Sequence, residues 1–156
     1  MMRIEVIPVL HNAYSPQRLI ESARTVYGLN FKLFIATKAS GSAAQVGVPE
    51  AQKLAMKMGK SFAFLPDLPD AIEILKPDKI ILVVPKKYAS VSLIEVLKEA
   101  TGRVMIVFGG SEPGLSKKEL ELGIPTYIEG VEEDLGPVSL LAIMLYEIKK
   151  LFMDQI

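Results

Sequence analysis

The segment of this sequence most suited to chemistry is a glycine-rich loop at 109–114, Gly-Gly-Ser-Glu-Pro-Gly, which follows the apolar stretch Arg103–Phe108. The stretch is predicted to be a buried strand, and ligands in parallel α/β sheets bind beyond the carboxyl ends of strands. Glycines there allow positive φ and a close approach of the backbone to a ligand. The loop lacks the Gly-Lys-Ser/Thr end of a Walker loop and comes too late in the chain for a dinucleotide loop. It therefore predicts either a structural turn or a site that reads its ligand through backbone groups.

Two further motifs follow the loop in order: Ile124-Pro125 at the start of a short predicted strand, and Ser139-Leu140-Leu141 at the head of the last helix. Together, the three motifs resemble the carboxyl-terminal half of the SpoU/TrmH branch of the SPOUT RNA methyltransferases. The resemblance implies an α/β fold with a mainly parallel sheet flanked by helices and a C-terminal trefoil knot, in a single domain over residues 1–156. It also implies S-adenosyl-L-methionine as cofactor and methylation of RNA (tRNA or rRNA), of the ribose 2′-O type.

The resemblance places the cofactor against three successive turns at the carboxyl ends of strands. The cofactor-binding residues that it implies are Val84, Pro85, Phe108, Gly109, Gly110, Glu112, Ile124, Tyr127, Ile128, Val138, Ser139 and Leu140. Glycine, proline and aliphatic residues suit an adenine that is recognised by backbone groups and apolar packing. The alternative for Ile124, Val138 and Leu140 is an ordinary place in the hydrophobic core.

The segment after the first predicted strand, residues 11–18, is similar to the first motif of the same family. The resemblance implies catalytic roles for Asn12, Arg18 and Ser139, with the arginine helping to activate the ribose hydroxyl and contacting the RNA phosphate. A guanidinium suits such an anionic substrate. Arg24 is the alternative for the family arginine, and either arginine could instead form a surface ion pair.

Two other functions remain open at this point. Leu141 stands where the family has asparagine, so the chain could be a SPOUT-like dimer that binds the cofactor or RNA without catalysis. A metal-dependent nuclease is the third option, because Asp70, Glu73 and Lys76 faintly resemble the acid–acid–lysine pattern of restriction-like nucleases. Their spacing is wrong for that pattern, which needs the second acid and the lysine two residues apart on a strand.

Composition limits these choices. With 18 basic and 18 acidic residues the chain has no net charge, so RNA contact would need a local basic patch, for which Lys38, Lys86 and Lys87 are the candidates. The absence of cysteine excludes thiolate ligands, and a single histidine leads us to expect no metal site. No apolar run reaches the roughly 20 residues that span a bilayer. We therefore expect a cytoplasmic protein without membrane contact.

Strand-like and helix-like segments alternate along the chain, which predicts a parallel α/β sheet. The predicted strands are Arg3–Leu10, Phe31–Thr37, Ser61–Leu65, Lys79–Val84, Arg103–Phe108 and Ile124–Ile128. The predicted helices are Pro16–Tyr27, Pro49–Met58, Asp70–Leu75, Val91–Ala100, Ser116–Leu122 and Pro137–Phe152, with a loop of small residues at Lys38–Gly47. The last helix is apolar nearly all round, which predicts burial on more than one side and a homodimer formed through it.

Overall fold

A computed structural model describes residues 4–110 and 114–152 of the chain. Its strands are β1 (Ile4–His11), β2 (Leu33–Thr37), β3 (Ser61–Leu65), β4 (Lys79–Val83), β5 (Val91–Ser92), β6 (Gly102–Gly109) and β7 (Ile124–Tyr127). Its α-helices are α1 (Pro16–Gly28), α2 (Val48–Met58), α3 (Leu68–Leu75), α4 (Leu93–Lys98), α5 (Lys117–Leu120) and α6 (Pro137–Phe152). A π-helical turn at Ala43–Gly47 precedes α2, and a 3₁₀ turn covers Lys86–Tyr88.

The strands form one seven-stranded sheet in the order β3-β2-β1-β6-β4-β7-β5, and every pairing is parallel. The predicted α/β fold with a mainly parallel sheet flanked by helices is confirmed. The strand order reverses between β1 and β6, which pair over eight residues from Ile4↔Gly102 to His11↔Gly109. Ligand sites in such sheets lie beyond the carboxyl ends of strands at this kind of reversal.

Alternation along the strands divides the core into two faces. On β1, Val6 and Leu10 face α1, α2, α4 and α6, whereas Ile7 and Val9 face the side covered by α3 and the segment around α5. Because side chains alternate with a period of two, His11 lies on the same face as Ile7 and Val9. The histidine is therefore directed toward α3 and α5 rather than toward the larger helical layer.

Most predicted elements match the observed ones to within one or two residues, but two segments differ in type. The small-residue loop predicted at Lys38–Gly47 contains the π-helical turn, where Ala43 and Gly47 pack closely against the molecule. The helix predicted at Val91–Ala100 begins instead with a two-residue strand, because Val91 and Ser92 pair with β7 before Ser92 caps α4. Local propensity favoured a longer helix there, and tertiary pairing overrode it.

The last helix is buried along one face and partly exposed along the other. Leu141, Met144, Leu145 and Ile148 are in the core, whereas Tyr146 is about half exposed. Burial on more than one side is therefore not observed in the isolated chain, and the homodimer stays a prediction. The trefoil knot also stays a prediction, since the predicted glycine loop includes residues 111–113, which lie outside the described part of the chain.

Within the described residues, no helix combines the length and the apolar character needed to cross a membrane.

The close contact between the start of β7 and β4 predicts that a side chain at Gly123 would destabilise the fold. A Cβ on Gly123 would lie 2.7 Å from the backbone oxygen of Ile80, which cannot move without disturbing the sheet. We expect Gly123→Ala to lower the free energy of unfolding by about 1–3 kcal/mol, the usual cost of overpacking. Gly28→Ala is the matched control, because a Cβ there meets nothing within 4 Å. Urea unfolding of both variants checks this, and equal stability of the two would contradict it.

Candidate functional site at the carboxyl edge of the sheet

The end of β6 lies against the end of β1, and the two backbones approach each other closely at Gly110. The backbone N–H of Gly110 donates to the His11 carbonyl over 2.6 Å. A Cβ on Gly110 would lie 3.1 Å from backbone atoms of Asn12 and Ala13. Close approach of two chain segments, rather than a turn with positive φ, therefore explains the glycine at position 110.

A cleft of about 720 Å³ opens on one side of this contact. Its walls come from the ends of β4, β6 and β7, from the turn after β4, and from the beginning of α6. The lining residues are Val83, Val84, Pro85, Lys86, Lys87, Tyr88, Phe108, Gly109, Tyr127, Ile128, Val131, Glu132, Glu133, Asp134, Pro137 and Leu140. This volume is within the ordinary range of small-molecule sites.

The cleft carries charge of both signs at its rim. The exposed residues Lys86 and Lys87 line it from the turn after β4, and the exposed acidic segment 132–134 lines it from the stretch before α6. The Nζ of Lys86 is 5.4 Å from the centre of the Tyr127 ring, which holds the ammonium beside the apolar floor. The cleft is therefore suited to a ligand with an apolar or aromatic body and both a positive and a negative group.

The structure brings together many of the residues that the sequence analysis assigned to a cofactor. Val84, Pro85, Phe108, Gly109, Tyr127, Ile128 and Leu140 line the cleft, whereas Gly110, Ile124, Val138 and Ser139 are not among its lining residues. Glu112 lies outside the described residues. Cofactor binding by these residues stays a prediction.

The predicted catalytic residues occupy different parts of this edge. Arg18 is exposed on α1, and its Nη1 donates to the Gly110 carbonyl over 3.2 Å. Asn12 has a positive φ of 65° and follows the end of β1 directly. Ser139 is exposed in the first turn of α6. Arg18 and Asn12 thus lie beside the β1–β6 contact, and their catalytic roles stay predictions.

On the opposite side of the contact, three titratable residues from distant parts of the chain converge. The Nε2 of His11 lies 2.5 Å from a carboxylate oxygen of Glu119 and 4.0 Å from one of Asp67. The Nδ1 of the same ring lies 2.7 Å from the hydroxyl oxygen of Thr37, which is the register partner of His11 on β2. We name His11, Asp67 and Glu119 the histidine–carboxylate group. Its donor atoms all lie within 4.8 Å of one another, so the group could hold a metal ion.

Local structure sets the position of each carboxylate. Asp67 is the N-cap of α3 and accepts a hydrogen bond from the Leu68 N–H over 2.8 Å. Glu119 belongs to a capping box with Ser116 at the start of α5, where its Oε1 accepts the Ser116 N–H. Its second oxygen, Oε2, faces His11. Both acids therefore owe their placement to helix starts on the α3 and α5 side of the sheet.

Glu119 has a perturbed pKa. Burial alone would raise the pKa of its carboxyl, but hydrogen bonds from the Ser116 backbone and from His11, with the charge of the histidine, outweigh burial and lower the pKa below its ordinary value. The carboxylate is therefore the favoured form at neutral pH.

Sequence reasoning did not find this group. Its members lie at positions 11, 67 and 119, and their shared face became visible only from the sheet order and the helix placement. A capping-box pattern at Ser116–Glu119 and a histidine at the end of the first strand were the available signals, but neither indicates the other.

The carboxylates assigned to a nuclease pattern in the sequence are placed differently. Asp70 lies in the first turn of α3 and accepts the Asp67 N–H over 3.0 Å. Glu73 is exposed on the same helix, and Lys76 ends it with a positive φ of 47°. None of these three is part of the histidine–carboxylate group.

Comparison with known proteins decides the family. The model of the RecB-family nuclease family (DUF2122) matches residues 41–147. The chain belongs to this family. It is 46% identical over 145 residues, 93% of each chain, to an Aeropyrum pernix protein whose name marks it as a candidate type II restriction enzyme. A similarly named protein of Methanocaldococcus jannaschii is 40% identical over 141 residues, 90% of this chain and 94% of the relative.

Solved structures show that this DUF2122 protein shares its fold with methyltransferases. The TrmH/SpoU tRNA modifying enzyme of A. aeolicus aligns with a TM-score of 0.72 at 18% identity, covering 96% of this chain and 76% of that one. An AdoMet-bound rRNA methyltransferase of Sinorhizobium meliloti aligns with a TM-score of 0.71 at 16% identity, covering 94% of this chain and 56% of that one. At such identities the likeness shows the fold alone.

The predicted membership of the SPOUT methyltransferases is wrong, and so are the predicted RNA methylation and the methyltransferase class of enzyme. The family match and the two named relatives overturn them. The glycine loop behind the prediction begins where two backbone segments approach closely, as the contacts of Gly110 with Asn12 and Ala13 show. Such positions follow from the shared fold and do not specify the chemistry.

The lowered pKa of Glu119 predicts a pH dependence of stability in the DUF2122 protein. A depressed carboxyl pKa stabilises the fold above the unfolded value of about 4.3, and this contribution is lost as the pH falls through the lower folded value. Glu119→Gln should therefore be less stable than the wild type at pH 7, and the difference should shrink in acid.

Thermal melting from pH 7 to pH 3 in the presence of a chelator measures this difference. Glu121→Gln is the control, since Glu121 is an exposed neighbour at the end of α5. A difference in melting temperature between the wild type and Glu119→Gln that stays constant from pH 7 to pH 3 would contradict the lowered pKa of Glu119.

Proposed function

We infer that this protein hydrolyses phosphodiester bonds in nucleic acid, with the histidine–carboxylate group as its reactive centre. The observation that carries the proposal is the convergence of one imidazole and two carboxylates at the carboxyl edge of the sheet, in a chain whose family is described as RecB-family nuclease. Imidazole and carboxylate are the side chains most used for general acid–base chemistry.

The surroundings of the group favour an anionic substrate. Lys38 directly follows Thr37 on the chain, and Lys117 and Lys118 belong to the same short helix as Glu119; all three lysines are exposed. The chain carries no net charge, so these local lysines supply the positive potential that a phosphate backbone requires. Arg18, which reaches Gly110 from the other side of the β1–β6 contact, extends the same edge.

The reaction needs a base for water and a proton for the leaving oxygen. The water oxygen forms a bond to phosphorus and the phosphorus–oxygen ester bond breaks, which leaves a phosphate monoester and a free hydroxyl. The half-exposed carboxylate of Asp67 is open to solvent and can accept the water proton. The departing oxygen can take its proton from solvent water, because the half-exposed Asp67 leaves this side of the group open to solvent.

Double-stranded DNA is the first substrate to test, because the named relatives are candidate restriction enzymes. Purified protein with Mg²⁺ and Mn²⁺ should nick or linearise supercoiled plasmid, and a labelled RNA forms the second arm. Asp67→Asn should reduce the rate by about 100-fold or more, the lower range of an acid–base contribution. Glu73→Gln, on the exposed side of the same helix, should leave it unchanged. Intact DNA and RNA, or cleavage that is equal in wild type and Asp67→Asn, would refute this function.

A second function, binding of a nucleoside, is favoured by the cleft. The S. meliloti neighbour is an AdoMet-bound structure with the same fold, and here the apolar floor and the rim of both charges suit a nucleoside with an amino-acid tail. S-adenosyl-L-methionine is therefore the ligand that we propose for the cleft, without a methyl-transfer step. Backbone groups of Val84, Pro85 and Gly109 would contact the base.

Isothermal titration with S-adenosyl-L-methionine and adenosine tests the cleft directly. Tyr127→Ala should weaken binding by about fivefold or more, since an aromatic contact contributes roughly 1 kcal/mol. Tyr146→Ala is the matched control, because Tyr146 is exposed on α6 and does not line the cleft. Absence of heat with both ligands, or an equal loss in the two variants, would remove this second function.

A further inference from the structure

The imidazole of His11 is held in the way that metal-ligating histidines are held. The side chain is fully buried, its Nδ1 contacts the Thr37 hydroxyl over 2.7 Å, and its Nε2 points at the carboxylates. A histidine that binds a metal through one nitrogen almost always fixes its ring by a hydrogen bond from the other. Thr37 supplies that partner, because its hydroxyl oxygen can accept the Nδ1 hydrogen and leave a lone pair on Nε2 for an ion.

The carboxylates are fixed by separate hydrogen bonds. Glu119 uses Oε1 for the Ser116 N–H and directs Oε2 at the imidazole. Asp67 is anchored at the start of α3 through the Leu68 N–H, and its side chain is 51% exposed. The group thus has one buried nitrogen ligand, one mostly buried oxygen ligand and one oxygen ligand open to solvent. Three protein ligands and a solvent-facing side are the composition of a catalytic rather than a structural metal site.

The contact between Nε2 and Oε2 indicates what an ion would replace. At 2.5 Å the two atoms are joined by a hydrogen bond, with its proton between them. A bound cation would take the place of that proton and separate the two atoms by a fraction of an ångström, to bonds of about 2.0–2.2 Å on each side. Asp67, whose oxygen is 4.0 Å from Nε2, is near enough to close on the same ion.

We propose that His11, Asp67 and Glu119 bind a divalent transition-metal ion, of the Mn²⁺, Co²⁺ or Zn²⁺ class, in preference to Mg²⁺ or Ca²⁺. The preference follows from the imidazole nitrogen, which suits transition metals, whereas Mg²⁺ and Ca²⁺ favour sites made of oxygen alone. The proposal rests on the proposed function for its purpose, because the ion would serve phosphodiester hydrolysis, but binding itself is measured without that activity. It reverses the expectation, drawn from the single histidine, that the chain has no metal site.

Direct binding tests the site. Protein stripped with a chelator is titrated calorimetrically with Mn²⁺, and free Mn²⁺ is followed by electron paramagnetic resonance. We expect one ion per chain, with Mg²⁺ bound at least tenfold more weakly. His11→Gln and Asp67→Asn should weaken Mn²⁺ binding by roughly 100-fold. Thr37→Val, which touches no ion, should weaken it by about 10–100-fold, the usual effect of losing the hydrogen bond behind a ligand.

Matched controls separate the site from general loss of charge or fold. Glu121→Gln and Glu73→Gln remove carboxylates from the ends of the same helices and should bind Mn²⁺ like the wild type. Circular dichroism establishes whether each variant is folded. If His11→Gln unfolds, Asp67→Asn still decides the test, because it alters a half-exposed residue. Absence of Mn²⁺, Co²⁺ and Zn²⁺ binding, or binding that Asp67→Asn and Thr37→Val leave unchanged, overturns the proposal.

The two proposals fail in different ways. Mn²⁺ binding that needs Asp67, in a protein that cleaves neither DNA nor RNA, would support the metal site and refute the nuclease function. Cleavage that persists in excess chelator and is lost in Asp67→Asn would support the nuclease function and refute the metal site.

Discussion

The parallel pairing of β1 with β6 is the constraint on which the rest of the site depends. It sets His11 at the end of β1 against Gly109, and a Cβ on the next residue, Gly110, would lie 3.1 Å from backbone atoms of Asn12 and Ala13. Because the strand order reverses there, the helices that follow the two strands diverge and leave both faces of the edge open. The cleft lies on one face and the histidine–carboxylate group on the other, so the β1–β6 contact forms a wall common to both.

Hydrophobic periodicity was sufficient to predict the α/β class of fold and its central strands. Continuous apolar runs such as β4 and β6 are buried on both faces and could be recognised as central strands, and helix ends were marked by local signals such as Ser15 before Pro16. Periodicity could not distinguish the short strand at Val91–Ser92 from the helix after it, because two residues of pairing carry no pattern. The π-helical turn at Ala43–Gly47 was missed for a related reason, since small residues permit a loop and a compact helix equally.

Of the two parts of the candidate site, only the cleft could be predicted from the sequence. The cleft could be outlined because its walls are turns at strand ends, and turns carry glycine and proline signals near each other along the chain. The histidine–carboxylate group could not, because His11 and Glu119 are 108 positions apart and meet only through the order of the strands. The family likewise could not be inferred from the loops, since they reflect the fold that this chain shares with methyltransferases of 16–18% identity. Fold and chemistry are separate inferences here.

The proposed metal ion would lie at the edge of the sheet, held by the histidine–carboxylate group. The most direct test of this proposal is a crystal of the protein soaked in MnCl₂ and measured for anomalous scattering. We expect a peak bonded to Nε2 of His11 and to carboxylate oxygens of Asp67 and Glu119, with the Thr37 hydroxyl still on Nδ1. A map in which His11 and Glu119 keep their direct hydrogen bond, with manganese elsewhere or absent, would contradict it.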